Sequence, residues 1–176
     1  VNVLWAERAA AIGARTVPAS EGAPLLAALW AGGRITPLPE ATLLRVAERF
    51  AYADLPVAAR PIEQDEDGDF MLVLLEGALT VERHAVHGRP VRVAEVRPGD
   101  TCGEMALLDH GPRFSAVVAR RASRVAVLEL AVLQRVMAED PETALVLAVA
   151  LARRLSLRLR SVGTRLAALL SEEEVA

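Results

Sequence analysis

Between Leu55 and about Leu130 the apolar residues return at every second position in short bursts, which restricts this stretch to strands paired in an antiparallel roll or barrel. In "ALTVE" Leu79 and Val81 alternate with Thr80 and Glu82; "VRVAEV" puts Val91 and Val93 on one face, and "SRVAVLEL" does the same with Val125 and Val127. Turn-forming clusters cut the bursts apart: "DEDGD" at 65–69, "EGA" at 76–78, "HGRP" at 87–90, "RPGD" at 97–100 and "DHGP" at 109–112. Short strands at that spacing predict a closed or rolled sheet.

The flanks change period. "AERAAAIGA" and "APLLAALWAGG" read as two short helices, separated by "TVPASEG" and ended by Gly32-Gly33. Residues 1–36 are therefore expected to be a helical connector to an upstream domain. A third helix is expected to open at Pro39 with Glu40 in its first turn, burying Leu43, Val46, Ala47 and Phe50. After the strands, "LAVLQRVMAED" reads as a helix, and Asp140-Pro141 as the start of a longer one reaching about Leu170. Leu145, Val149, Ala152, Leu159 and Leu166 fall near one stripe of it, broken by Ser156 and Gly163, so it is expected to lie on the roll and to offer a contact for a second copy. The domain is expected to span 37–170, with 171–176 as an acidic tail.

Composition removes several classes of function. All 20 basic residues are arginine and the net charge is −3, so nothing points to nucleic acid as a partner of this chain. The longest apolar run, Ala144 to Ala152, stops at Arg153-Arg154, too short to insert in a membrane. The single cysteine, Cys102, rules out an internal disulfide framework and suits a reducing cytoplasm. The first residue is Val1, as in a piece of a longer protein, so the lack of a signal peptide says little.

The chemistry concentrates in "GEMALLDHGPRFSAVVA", Gly103 to Ala119, where an acid and a base stand nine positions apart at the two ends of a small loop. Gly103 allows close backbone approach, and "EMALL", Glu104 to Leu108 with Met105 in it, is long enough for one helical turn whose first amides lack partners. Arg113, after Pro112, can give a planar two-pronged donor to an anion, and Glu104 can accept from a hydroxyl. One anion and one hydroxyl describe a cyclic ribose phosphate. The plain alternative is that Glu104 pairs with Arg113 and pins the loop.

Residues 37–160 resemble the cyclic-nucleotide-binding domain family of catabolite activator protein, protein kinase A regulatory subunits and nucleotide-gated channels. "LPVAARPIEQDEDGDFMLVLLEGALTV" is similar to its first strands, with Gly68-Asp69 and Glu76-Gly77 matching, and "VRPGDTCGEMALLDHGPR" is similar to its phosphate-binding cassette. The resemblance implies a mainly β fold with flanking helices: an eight-strand antiparallel β-roll of the jelly-roll, double-stranded β-helix type, with N-terminal helices and a long C-terminal helix. It implies that Glu104 holds the ribose 2′-hydroxyl, that Arg113 holds the exocyclic phosphate oxygens, and that amides around Ala106, Leu107 and Ser115 complete the cradle. Gly77 and Val81 would line the sugar pocket, and Arg153 or Arg154 on the lid helix would meet the purine.

Three positions depart from the pattern. Phe114 stands where a small residue is usual, so its ring either turns into the core or crowds the phosphate; the absence of threonine there favours cAMP over cGMP. Ala58 and Asp65 replace family glycines. The resemblance implies a non-catalytic sensor with no catalytic cofactor, regulating a covalently attached upstream effector. The segment around "EGAPLLAALWAGGRITPLPE" is similar to connectors of transporters and channels, which would make this the cytosolic domain of a membrane protein. The alternative is a nucleotide-free domain kept for protein–protein interaction. His84, His87 and His110 lack cupin spacing, Cys102 has no orienting third group, and the acidic "EDGD" lacks calcium-loop spacing, so neither an enzyme nor a metal site is expected.

Overall fold

The computed structural model describes residues 2–31, 39–84 and 89–173. In chain order these form α1 (Trp5–Ala11), β1 (Arg15–Val17), α2 (Ala19–Trp30), α3 (Glu40–Ala47), β2 (Ala51–Leu55), β3 (Phe70–Glu76), β4 (Leu79–His84), β5 (Pro90–Val96), β6 (Thr101–Cys102), α4 (Glu104–Asp109), β7 (Ala116–Ala119), β8 (Ser123–Glu129), α5 (Leu130–Glu139) and α6 (Pro141–Glu173). The strands form an antiparallel roll of two sheets, ordered β1-β2-β8-β3-β6 and β5-β4-β7. The expected β-roll with helices on its flank is the fold. Gly32, Gly33 and His87 lie outside the described residues.

Two cores hold it. Between the sheets, Leu55, Ile62, Phe70, Leu72, Leu74, Val117, Val125 and Val127 interdigitate. On the outer face of the larger sheet, Met71, Val73, Leu75 and Leu128 meet Leu26, Trp30, Leu43, Val46, Leu147 and Leu151 of the helices. Strand β3 is thus buried on both faces, which explains why "FMLVLLE" is a continuous apolar run and does not alternate.

The N-terminal segment contributes a strand as well as two helices. Val17 is buried and β1 pairs with β2 from Arg15↔Asp54 to Val17↔Tyr52. Three residues are too few to display a period of two. Gly22 of α2 lies against Tyr52, where a Cβ would come within 2.2 Å of the ring.

One expectation about faces holds and one is corrected. Val91 and Val93 do share a face of β5, but it is the solvent face, and Val96 is the buried residue of that strand. On α6, Thr143, Val146, Leu147 and Leu151 face the roll, whereas Leu145, Val149, Leu159 and Leu166 are exposed. The Asp140 cap forms as expected: its carboxylate accepts the Thr143 amide at 3.1 Å and the Thr143 hydroxyl at 2.7 Å.

Ala58 and Asp65 have φ of +65° and +63°. An L side chain costs roughly 1–2 kcal/mol in that region, the physical reason glycine is favoured at both positions.

Candidate functional site

The short strand β6 pairs with β3, which fixes Cys102 beside Leu72 and delivers Gly103 to the end of the roll. Gly103 turns the chain with φ +81° into α4. The space beside its Cα is already filled: a Cβ would lie 2.7 Å from Ile62 Cδ1 and 2.8 Å from Arg113 Nη1.

Arg113 is the largest side chain of this region and only 2% exposed. Its amide donates to Glu66 O and its carbonyl accepts the Asp65 amide, both at 2.8 Å, so its backbone is clamped to the β2–β3 loop. Nη1 donates to Gly103 O at 2.8 Å, Nη2 donates to Phe70 O at 2.7 Å, and the guanidinium lies over the Phe70 ring at 4.7 Å. Gly68 leaves room for it, since a Cβ there would come within 2.6 Å of Nη2. Burial pushes its pKa down, opposed chiefly by the nearby charge of Glu66. No carboxylate ion-pairs with it among the described residues, and Nε has no acceptor.

Glu104 is 1% exposed. Its Oε1 accepts from Arg158 of α6, which also donates to Thr101 O, and its Oε2 is buried without a partner. Glu104 and Arg113 are therefore not a pair pinning the loop; each has separate partners. Ser115 Oγ is also buried and unpartnered. Glu104 Oε2, Arg113 Nε and Ser115 Oγ all belong to residues lining one cavity of about 410 Å³, counting its mouth.

Of the residues expected at the site, Val81, Gly103, Glu104, Met105, Ala106, Arg113, Phe114 and Ser115 line this cavity. Four others do not. Leu107 is buried in the helix-side core. Gly77, φ +99°, turns β3 into β4 against Ala122 and Ser123. Arg154 donates to Gly99 O at 2.7 Å and stacks 4.4 Å over Trp30, with burial, then Arg153, pushing its pKa down to about 10. Arg153 is partly buried and is not in the lining.

Arg158, and neither Arg153 nor Arg154, is the arginine of α6 in the cavity lining. Helical phase could have found it, because Leu147, Leu151, Arg154 and Arg158 follow at steps of four, three and four on the face that meets the roll. Phe114 does not turn into the core: it is 54% exposed at the rim, with Arg83 stacked 4.0 Å over its ring and donating to its carbonyl.

The Cys102 thiol is pushed up to about 12, mainly by burial and then by Glu104, so it is protonated at neutral pH. Among the described residues no group of three or more His, Cys, Asp or Glu is placed to hold a metal ion. A wider cleft lies at the other end of the roll beside Arg15, Asp54, Glu76 and Arg124. There Asp54 is bound two-pronged by Arg124 at 2.8 and 3.1 Å, and none of its buried side-chain atoms is orphaned.

A roll of this topology, with α6 over a cavity whose guanidinium and carboxylate each keep one buried unpartnered atom, is an architecture shared with cyclic nucleotide-binding domains of known structure. Residues 59–140 match the family model described as cyclic nucleotide-binding domain, and the resemblance to that family holds over this stretch. It is 29% identical over 102 residues to the CRP-like cAMP-activated global transcriptional regulator of Mycobacterium tuberculosis, covering 58% of this chain and 46% of that protein. The chain thus spans about half the length of the curated relatives it matches.

Among solved structures, a cyclic nucleotide-binding domain from Methylobacillus flagellatus superposes with a TM-score of 0.79 over 86% of each chain, at 20% identity, a likeness of fold. Thermus thermophilus catabolite activator protein superposes with a TM-score of 0.62 at 26% identity, over 80% of this chain and 62% of that one.

Proposed function

We propose that this chain is a cAMP sensor domain whose ligand lies in the cavity between Glu104 and Arg113. The observation that carries this reading is the trio of buried, unpartnered polar atoms there, one each on a guanidinium, a carboxylate and a hydroxyl. Leaving such groups unmade costs about 1–3 kcal/mol each, so the site favours a ligand that satisfies them together. The exocyclic phosphate takes the remaining N–H groups of Arg113, and Ser115 Oγ donates to it. The ribose 2′-hydroxyl donates to Glu104 Oε2, leaving Oε1 to Arg158. Amides around Ala106 and Leu107 complete the cradle, and Val81 and Met105 give it apolar walls.

Arg158 makes α6 part of the site, because the carboxylate that receives the ribose also holds the helix. Ligand bound there stabilises one position of α6, and that difference in affinity between states drives an attached effector. The nucleotide is cAMP: Phe114 stands where threonine favours cGMP, and the mycobacterial relative is named for cAMP activation. The effector is covalently attached on the upstream side. The relatives' names describe transcriptional regulators and lend nothing to a transporter. No helix among the described residues is long and apolar enough to cross a membrane.

The first test is calorimetry with cAMP and then cGMP, after unfolding and refolding to strip carried nucleotide. One-to-one binding with cAMP preferred is the expected result. Glu104→Ala is expected to weaken cAMP about 10- to 100-fold, the worth of one charge-assisted hydrogen bond. The same change should weaken 2′-deoxy-cAMP much less, because that ligand has already lost the hydroxyl. Absence of binding by either nucleotide would leave the nucleotide-free interaction domain as the reading.

The partner copy belongs on α6. Leu145, Val149, Ala152, Ser156, Leu159, Gly163, Leu166 and Leu170 recur at alternating steps of four and three, and all are exposed. That is the repeat of a coiled-coil seam, with small residues at three of its positions. The chain is expected to sediment as a dimer, and Leu159→Glu with Leu166→Glu as a monomer; a wild-type monomer at high concentration would remove this part of the proposal.

A further inference from the structure

Helix α1 and the residue Val3 ahead of it touch the shell around Arg113 at three points, each of which bears on the guanidinium. Arg8 forms an ion pair with Glu66, their side chains 15% and 16% exposed, and Glu66 is the residue whose carbonyl holds the Arg113 amide. Trp5 meets Phe70 edge-on with ring centroids 5.3 Å apart, and Arg113 lies over that same ring. Just ahead of the helix, Val3 donates to Asp67 O at 3.0 Å and bridges to Gly68, the glycine that leaves room for the guanidinium.

The arrangement solves an electrostatic problem. Glu66 and Asp69 both act on Arg113 through their charge, yet neither ion-pairs with it among the described residues. A buried arginine close to a free carboxylate would pair with it and lose its use to an anion. Arg8 removes that competitor by occupying the Glu66 carboxylate.

We infer that Arg8 and Trp5 are positioning residues for Arg113, making α1 the element that keeps the Glu66 carboxylate from the anion-binding guanidinium. This rests on the assignment of Arg113 to the ligand phosphate. Coupling of this kind is reciprocal, so occupancy at Arg113 also changes how firmly α1 is held. Whatever precedes α1 in the chain is then linked to the nucleotide from the N-terminal side, independently of α6.

The test compares wild type, Arg8→Met, Glu66→Gln and the double variant by two readouts: cAMP affinity, and the Arg113 Nε–H resonance of the ligand-free protein. Arg8→Met frees Glu66 Oε2, while Oε1 still accepts the Glu63 amide at 3.0 Å, and is expected to weaken cAMP by about 10-fold and to move the resonance. Adding Glu66→Gln removes the competing charge and is expected to restore both. Glu66→Gln alone, which leaves the helix in place, keeps affinity at or above wild type. An Arg8→Met variant that changes neither readout overturns the inference, as does one that the second substitution fails to rescue, which would mean α1 only packs. If Arg113→Ala leaves affinity unchanged, the site assignment fails, while the Nε–H resonance still decides the role of Arg8.

Discussion

Replacing Arg113 by alanine is expected to lower cAMP affinity about 10- to 1000-fold. Two of its N–H groups are committed to Gly103 O and Phe70 O, which leaves Nε–H and the second proton of each terminal nitrogen for the phosphate. Charge-assisted bonds are worth roughly 1.5–3 kcal/mol each, and about 1.4 kcal/mol is a decade of affinity, so one or two lost bonds span that range. The same carbonyls make Arg113 a strut between β3 and the start of α4. Alanine leaves both without a donor, and the apo melting temperature is expected to fall as well. Affinity should therefore be measured well below the transition.

Arg113→Lys separates the two roles. It keeps the charge but loses the planar fork that spans both carbonyls, so it is expected to bind more weakly than wild type and more tightly than the alanine variant. A folded Arg113→Ala protein with unchanged affinity would mean the guanidinium serves the roll alone, and that the cavity takes no anion.

What could be read in the sequence was whatever is local along the chain. Gly103, Glu104 and Arg113 fall within one turn and one loop, so their order and spacing pointed to the cavity they line. The alternation of β4 showed because the polar Thr80 and Glu82 occupy its second face, whereas β8 is buried on both faces, with Ala126 and Leu128 against the helices. Strand β3 did not alternate because helices cover its second face. Arg158 was missed because it reaches Glu104 from a distant helix, and the choice among Arg153, Arg154 and Arg158 depends on the rotation of α6 about its axis, which packing of Leu147 and Leu151 sets. The same rotation turns Leu145 and Leu159 outward. The contact of α1 with the site was hidden for a related reason: nothing in "WAERAAA" tells that Arg8 will meet Glu66.

Glycine substitutions at two left-handed turns should separate site from scaffold. Gly103→Ala places a Cβ 2.8 Å from Arg113 Nη1 and 2.7 Å from Ile62 Cδ1, at φ +81°. Backbone strain and overpacking together are expected to cost about 2–4 kcal/mol of stability, lowering the melting temperature by about 4–16 °C for a chain of this size. Because the crowded atom is the guanidinium itself, cAMP affinity is expected to fall at least about tenfold, as for loss of one charge-assisted bond. Gly77→Ala carries comparable strain, with φ +99° and a Cβ 2.7 Å from Ala122 O and 2.3 Å from Ser123 Oγ. Gly77 lies in the β3–β4 turn and these neighbours at the start of β8, all away from the cavity lining, so the melting temperature should drop while affinity holds. The family resemblance implies both glycines at the ligand; of the two, only Gly103 lines the cavity. Equal losses of affinity in the two variants would mean that binding merely tracks the general firmness of the roll, and the phosphate would then have to be sought elsewhere than at Gly103 and Arg113.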